Sequence, residues 1–116
     1  MVALYGIHTC DTCRKARQWL DRAGIDYRWV DVRADGVDRA RLRAWYETLG
    51  PDALLNKRSK TWRDFDGQQR QAAEREPVAV LGEYPTLIKR PILETSTTTL
   101  AGFSADRYAA VFAGAD

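Results

Sequence analysis

Two cysteines separated by two residues are the side chains with the clearest capacity for chemistry in this chain. They form the motif Cys10-Asp11-Thr12-Cys13, which follows a short apolar run and precedes a helical pattern. The first backbone N–H groups of a helix lack intrahelical partners, so a cysteine placed there faces a partial positive charge that favours its thiolate. The spacing therefore predicts a redox site in which Cys10 is the nucleophile.

Two roles are open to Cys13. Residues three apart lie on the same face of a helix, so Cys13 can attack a mixed disulfide on Cys10 and leave the protein as a disulfide. Alternatively, Cys13 packs as a small apolar residue, and glutathione resolves the adduct on Cys10. Neighbouring charges have opposing effects on ionisation of the Cys10 thiol. Asp11 opposes it, whereas Arg14 and Lys15 favour it.

A metal site is not expected. His8, Cys10 and Cys13 supply three ligands, whereas a structural zinc site needs four, and the chain has no other cysteine or histidine. We expect His8 to lie in a solvent-facing loop.

Arginines on predicted loops are the candidates for binding an anion. Arg90 precedes Pro91, and a planar guanidinium held there suits an oxyanion or a carboxylate of glutathione. We name Arg90 as a catalytic residue with Cys10 and Cys13. Arg58 lies in the basic run from Asn56 to Lys60, where a solvated surface charge is an equally good interpretation. The bond before Pro91 is compatible with either a cis or a trans form.

The elements that position these residues alternate along the chain. Strands are predicted at 2–7 and 25–30, parallel to each other, with a helix over 12–23 between them. A helical stretch follows at about 37–83, then a strand through 86–93, a strand over 97–101 and a helix capped by Ser104. The predicted order is thus β-α-β, then a helical insertion, then β-β-α, with CxxC after the first strand. This order indicates a thioredoxin-like α/β fold.

Composition narrows the class of protein. The 116 residues, 45% of them hydrophobic, suit a single domain over 1–116. A net charge of +2 lacks the basic footprint of a nucleic-acid binder. Because no apolar stretch has the length of a membrane span and no signal-peptide pattern opens the chain, we expect a cytoplasmic protein without a membrane partner.

Motifs dispersed over nearly the whole chain resemble the ArsC/Spx/YffB family of arsenate-reductase-related proteins, most of all its YffB-like branch. They are Leu4-Tyr5-Gly6-Ile7, Cys10-Asp11-Thr12, Lys15-Ala16-Arg17, Trp19-Leu20, Leu54-Leu55-Asn56-Lys57-Arg58, Thr61-Trp62-Arg63, Ile88-Lys89-Arg90-Pro91 and Gly102-Phe103-Ser104. The resemblance implies a thioredoxin-like domain with a helical insertion, a reactive Cys10, and Arg90 beside it before a cis Pro91. Substrate contacts are expected from Thr12, Arg58, Arg90 and Pro91.

Three functions follow from the resemblance. The first is a glutathione-dependent thiol-disulfide reductase, with glutathione as cosubstrate and no tightly bound cofactor. The second is arsenate reduction with glutathione and glutaredoxin, although this chain has Asn56 and Gly102 where such reductases carry two further arginines. The third is a redox-sensing regulator that binds RNA polymerase, because Spx proteins combine CxxC with a run similar to Arg14-Lys15-Ala16-Arg17.

Overall fold

The computed structural model describes residues 1–113. Its strands and helices are β1 Ala3–Gly6, α1 Asp11–Arg22, β2 Arg28–Asp31, α2 Arg39–Leu49, α3 Pro51–Leu54, α4 Lys60–Asp64, α5 Gly67–Arg75, α6 Pro77–Glu83, β3 Ile92–Glu94, β4 Thr99–Ala101 and α7 Ala105–Ala113. Two compact units are formed, one by Met1–Asp31 with the chain from Arg90 onward and the other by Val32–Lys89. In residues 1–113, no helix has the length and apolar character needed to cross a membrane.

The first unit contains a mixed four-stranded sheet. Its strand order is β2-β1-β3-β4, with β1 parallel to β2 and antiparallel to β3, and with β4 antiparallel to β3. Parallel neighbours need a crossover connection, and α1 provides it. The predicted thioredoxin-like α/β fold and the predicted parallel pairing are confirmed.

The core of this unit lies where α1 and α7 pack on the sheet. Helix α1 buries Cys13, Ala16 and Leu20, whose spacing places them on one helical face. Ala16 and Leu20 pack with Leu4 of β1 and Tyr108 of α7 in one apolar cluster. The helix that brings Cys10 to the end of β1 is therefore held in place by its own buried stripe.

The second unit is built from α2 to α6. The side chain of Asp38 caps α2 by accepting the Arg41 N–H at 2.8 Å, and α2 ends at Gly50, whose φ of 80° suits a residue without a side chain. Its apolar face buries Leu42 and Trp45. The helices run from residue 39 to residue 83, inside the predicted helical stretch, while their status as an insertion within one domain stays a prediction.

The predicted strand through 86–93 is wrong in its first half. Pro85–Leu87 forms a 3-10 turn, Ile88 makes a single bridge to Leu55, and the strand begins at Ile92. Proline has no N–H and suits the first position of a helical turn, so Pro85 favours that turn over an extended strand. The strand β2 also begins later than predicted, at Arg28.

Candidate active site

Cys10 occupies the N-cap position of α1, immediately after the loop that leaves β1. Its backbone N–H donates to the Ile7 carbonyl at 3.0 Å, and its own carbonyl accepts the Arg14 N–H at 3.0 Å. The residue is partly exposed, so solvent reaches it. The structure thus places Cys10 at the helix entrance predicted from the sequence.

The surroundings of Cys10 favour its thiolate. Burial raises the pKa of the Cys10 thiol, but the backbone N–H and thiol of Cys13 and the positive charge of Arg90 outweigh burial and hold that pKa below its ordinary value. The Cys10 side chain forms no hydrogen bond that caps α1. Cys13 and Arg90 favour its thiolate as nearby hydrogen-bond donors, and Arg90 also does so through its positive charge. Arg14 is paired with Asp11 on the surface, and the cation that acts on Cys10 is Arg90.

Arg90 reaches Cys10 from the segment that enters β3. It is half-buried at a bend before Pro91, and the Arg90–Pro91 peptide bond is cis, which confirms what the resemblance implies. The buried Pro91 accepts the Gly102 N–H on its carbonyl at 2.8 Å, which joins the start of β3 to the end of β4. The charge and hydrogen-bonding capacity of the Arg90 guanidinium lower the pKa of the Cys10 thiol.

Cys13 has the opposite environment. It is fully buried, and its Sγ packs against Gly6 of β1: a Cβ added to Gly6 would lie 2.5 Å from this sulfur and 3.0 Å from Cη2 of Trp29. A glycine inside a strand permits such a close approach. Burial, together with the neighbouring Cys10, raises the pKa of the Cys13 thiol to about 12, although a backbone hydrogen bond involving Ile7 and the charge of Arg90 oppose these effects.

Hydrogen bonds between His8 and Asp31 anchor the loop before Cys10. Asp31, buried at the end of β2, accepts the His8 backbone N–H at 3.2 Å and lies 2.9 Å from its Nδ1. The His8 side chain is 67% exposed, which confirms its predicted solvent-facing position. No group of three His, Cys, Asp or Glu side chains within residues 1–113 is arranged to hold a metal ion.

Thr12 and Arg58 were also predicted to bind substrate. Thr12 is exposed in the first turn of α1. Arg58 is exposed in the second unit, where its backbone N–H donates to Oδ1 of Asn56 at 3.1 Å. The binding roles of Thr12 and Arg58 stay predictions.

Gly6, Trp29 and Asp31 belong to the site without having been predicted. For Gly6 a signal was present, because a glycine within a strand pattern marks close backbone approach. Trp29 and Asp31 meet the site only through the parallel register that pairs β2 with β1, and no local pattern reveals that register.

A model of the ArsC family matches residues 5–111. This chain belongs to the ArsC family. An uncharacterised protein of Haemophilus influenzae is 42% identical to it over 114 residues, which cover 97% of this chain and 100% of the relative. A solved protein named YFFB is 40% identical, with a TM-score of 0.89 and coverage of 95% of this chain and 97% of that one.

Two further relatives show the breadth of this ArsC-family neighbourhood. An arsenate reductase (ArsC) related protein from Brucella melitensis is 34% identical, with a TM-score of 0.74 and coverage of 96% of this chain and 93% of that one. The global transcriptional regulator Spx 2 of Bacillus anthracis is 27% identical over 106 residues, which cover 90% of this chain and 81% of the regulator. The predicted membership of the ArsC/Spx/YffB family is confirmed, and the chain is an arsenate-reductase-related protein.

Proposed function

We propose that this ArsC-family chain is a cytoplasmic thiol-disulfide oxidoreductase in which Cys10 is the nucleophile and glutathione is the reductant. The observation that carries the proposal is the contrast between the two thiols of one motif. Cys10 is partly exposed with a lowered pKa, whereas Cys13 is buried with a pKa raised by that burial to about 12. Because the thiolate is the attacking species, the contrast selects Cys10 for exchange with an external disulfide.

Burial favours glutathione over Cys13 as the resolving thiol. Cys13 is 0% exposed, and burial raises the pKa of its thiol, so little Cys13 thiolate is available to attack an adduct on Cys10.

The substrate in the proposed reaction is a mixed disulfide of glutathione and a second thiol. The Cys10 thiolate attacks the glutathione sulfur, a Cys10–glutathione disulfide forms, and the substrate thiol leaves with the bonding electron pair and takes a proton from solvent. A second glutathione thiolate attacks the same glutathione sulfur, which releases oxidised glutathione and regenerates the Cys10 thiolate. The charge of Arg90 stabilises that thiolate and suits a carboxylate of glutathione.

Reduction of the mixed disulfide of glutathione and 2-mercaptoethanol tests the proposal, with oxidised glutathione measured through glutathione reductase. We expect turnover by the wild type and by Cys13→Ser, and a loss of about 100-fold or more in Cys10→Ser. After incubation with oxidised glutathione, mass spectrometry should find an adduct in Cys13→Ser and none in Cys10→Ser. An inactive wild type, or an active Cys10→Ser, contradicts the mechanism.

Arsenate reduction is a second candidate. It is supported by Arg90 beside Cys10 and by similarity to a protein named as arsenate reductase related. Arsenate-dependent consumption of reducing equivalents in the presence of glutathione and glutaredoxin would establish it, and no consumption would remove it.

A redox-sensing regulator that binds RNA polymerase is a third candidate, supported by 27% identity to a protein named global transcriptional regulator Spx 2 and by the CxxC motif of this chain. Polymerase binding that depends on the redox state of Cys10 and Cys13, without turnover of a mixed disulfide, would favour this function over the reductase.

A further inference from the structure

Trp29 and Cys13 meet above the same glycine. Residues two apart on a strand share a face of the sheet, so Leu4 and Gly6 belong to one face of β1, and the register pairs Trp29 with Leu4. This face is covered by α1, whose buried side includes Cys13. A Cβ on Gly6 would lie 2.5 Å from Sγ of Cys13 and 3.0 Å from Cη2 of Trp29. The sulfur and the edge of the indole are therefore near neighbours.

Arg17 holds the indole of Trp29 in this position. Its guanidinium carbon lies 4.4 Å from the centroid of the Trp29 ring, a cation–π contact, and its Nε donates to the Tyr27 hydroxyl at 3.2 Å. Arg17 follows Cys13 by four residues on α1, so the two side chains lie on neighbouring positions of one helical face. A single helix thus supplies both the buried thiol and the cation that fixes its aromatic neighbour.

We propose that Trp29 is a positioning residue that covers Cys13 and so restricts exchange with external disulfides to Cys10. Cys13 is 0% exposed although it belongs to the same first turn as the partly exposed Cys10. Its sulfur packs against Gly6, and the edge of the Trp29 indole lies against the same glycine from the side of β2. The assignment rests on the proposed function only for the identity of Cys10 as the exchanging thiol.

Alkylation by iodoacetamide tests the covering role in folded protein. The rate at Cys13 is measured by mass spectrometry in a Cys10→Ser background, where no other cysteine is present. We expect Trp29→Ala to raise this rate about tenfold or more, because a freely accessible thiol reacts according to its exposure and thiolate fraction. Trp29→Leu, which keeps apolar volume at this position, replaces Trp29→Ala if the latter does not fold.

Trp19→Ala is the matched control for lost stability. Trp19 is a half-buried indole packed on the same core cluster, but its ring partners are Tyr108 and Phe112. Urea unfolding gives the free energy of unfolding of each variant. This free energy gives the fraction of molecules in which global unfolding exposes Cys13. No acceleration in the Trp29 variant, or an equal acceleration in Trp19→Ala at equal stability, would overturn the proposal.

The alkylation test is separate from the proposed function. It is made in a Cys10→Ser background, so the rates at Cys13 decide whether Trp29 covers this thiol even if Cys10 does not exchange with glutathione.

Discussion

Replacing Gly6 with alanine tests the packing that buries Cys13. The new Cβ would lie 2.5 Å from Sγ of Cys13 and 3.0 Å from Cη2 of Trp29, whereas ordinary contacts begin at about 3.5 Å. Cys13 is fully buried and its sulfur turns about one bond, so the sulfur or the backbone must shift by about 1 Å. Overpacking of this kind costs about 1–3 kcal/mol. An unhindered Gly→Ala change within a strand would instead stabilise by about 0.5–1 kcal/mol.

The free energy of unfolding, measured in urea, shows whether Gly6→Ala destabilises or stabilises the protein. Gly82→Ala is the control, because the nearest atom to its new Cβ is Leu42 Cδ1 at an ordinary 3.6 Å and alanine favours the helix by about 1 kcal/mol. In a Cys13→Ala background, Gly6→Ala should recover about 1 kcal/mol or more of its cost, since the closest contact is gone. A neutral or stabilising Gly6→Ala in the wild type would refute the packing argument.

Three further predictions concern Arg90, the core residue Tyr108 and the loop before Cys10. Arg90→Gln removes a charge that lowers the pKa of Cys10, so the thiolate should form at higher pH and the pH profile of Cys10 alkylation should move upward; an unmoved profile contradicts the role of Arg90. Tyr108→Phe removes a buried hydroxyl that has no hydrogen-bond partner among the described residues, so urea unfolding should show equal or greater stability, within about 1 kcal/mol. Asp31→Ala removes the acceptor of the His8 N–H and should cost about 1–3 kcal/mol, and His8→Ala, which retains that N–H, should cost less; equal losses would argue against the backbone anchor.

The entrance to α1 was predictable because its signals are local. The apolar run of β1, the CxxC motif and the helical spacing of Ala16 and Leu20 all lie within a few turns of one another. These signals place Cys10 at the helix N-terminus, where unpaired amides favour a thiolate, and the structure has it there.

The segment before β3 was not predictable from the same kind of signal. A run such as Thr86-Leu87-Ile88-Lys89 has the composition of a strand, but a strand exists only when a neighbouring strand accepts and donates its hydrogen bonds. Here Pro85 begins a 3-10 turn, and the sheet hydrogen bonds begin at Ile92. Composition alone does not show whether such a partner is present.

The sequence by itself determined the order of strands and helices and which thiol stands at the helix entrance, because both depend on residues that are neighbours along the chain. The tertiary structure alone decided the difference between the two thiols. Arg90 reaches Cys10 through the chain entering β3, and Cys13 is buried against Gly6 and Trp29 through the register of β1 with β2. Burial and charge at a sulfur depend on distant segments meeting in space, and that meeting sets each pKa.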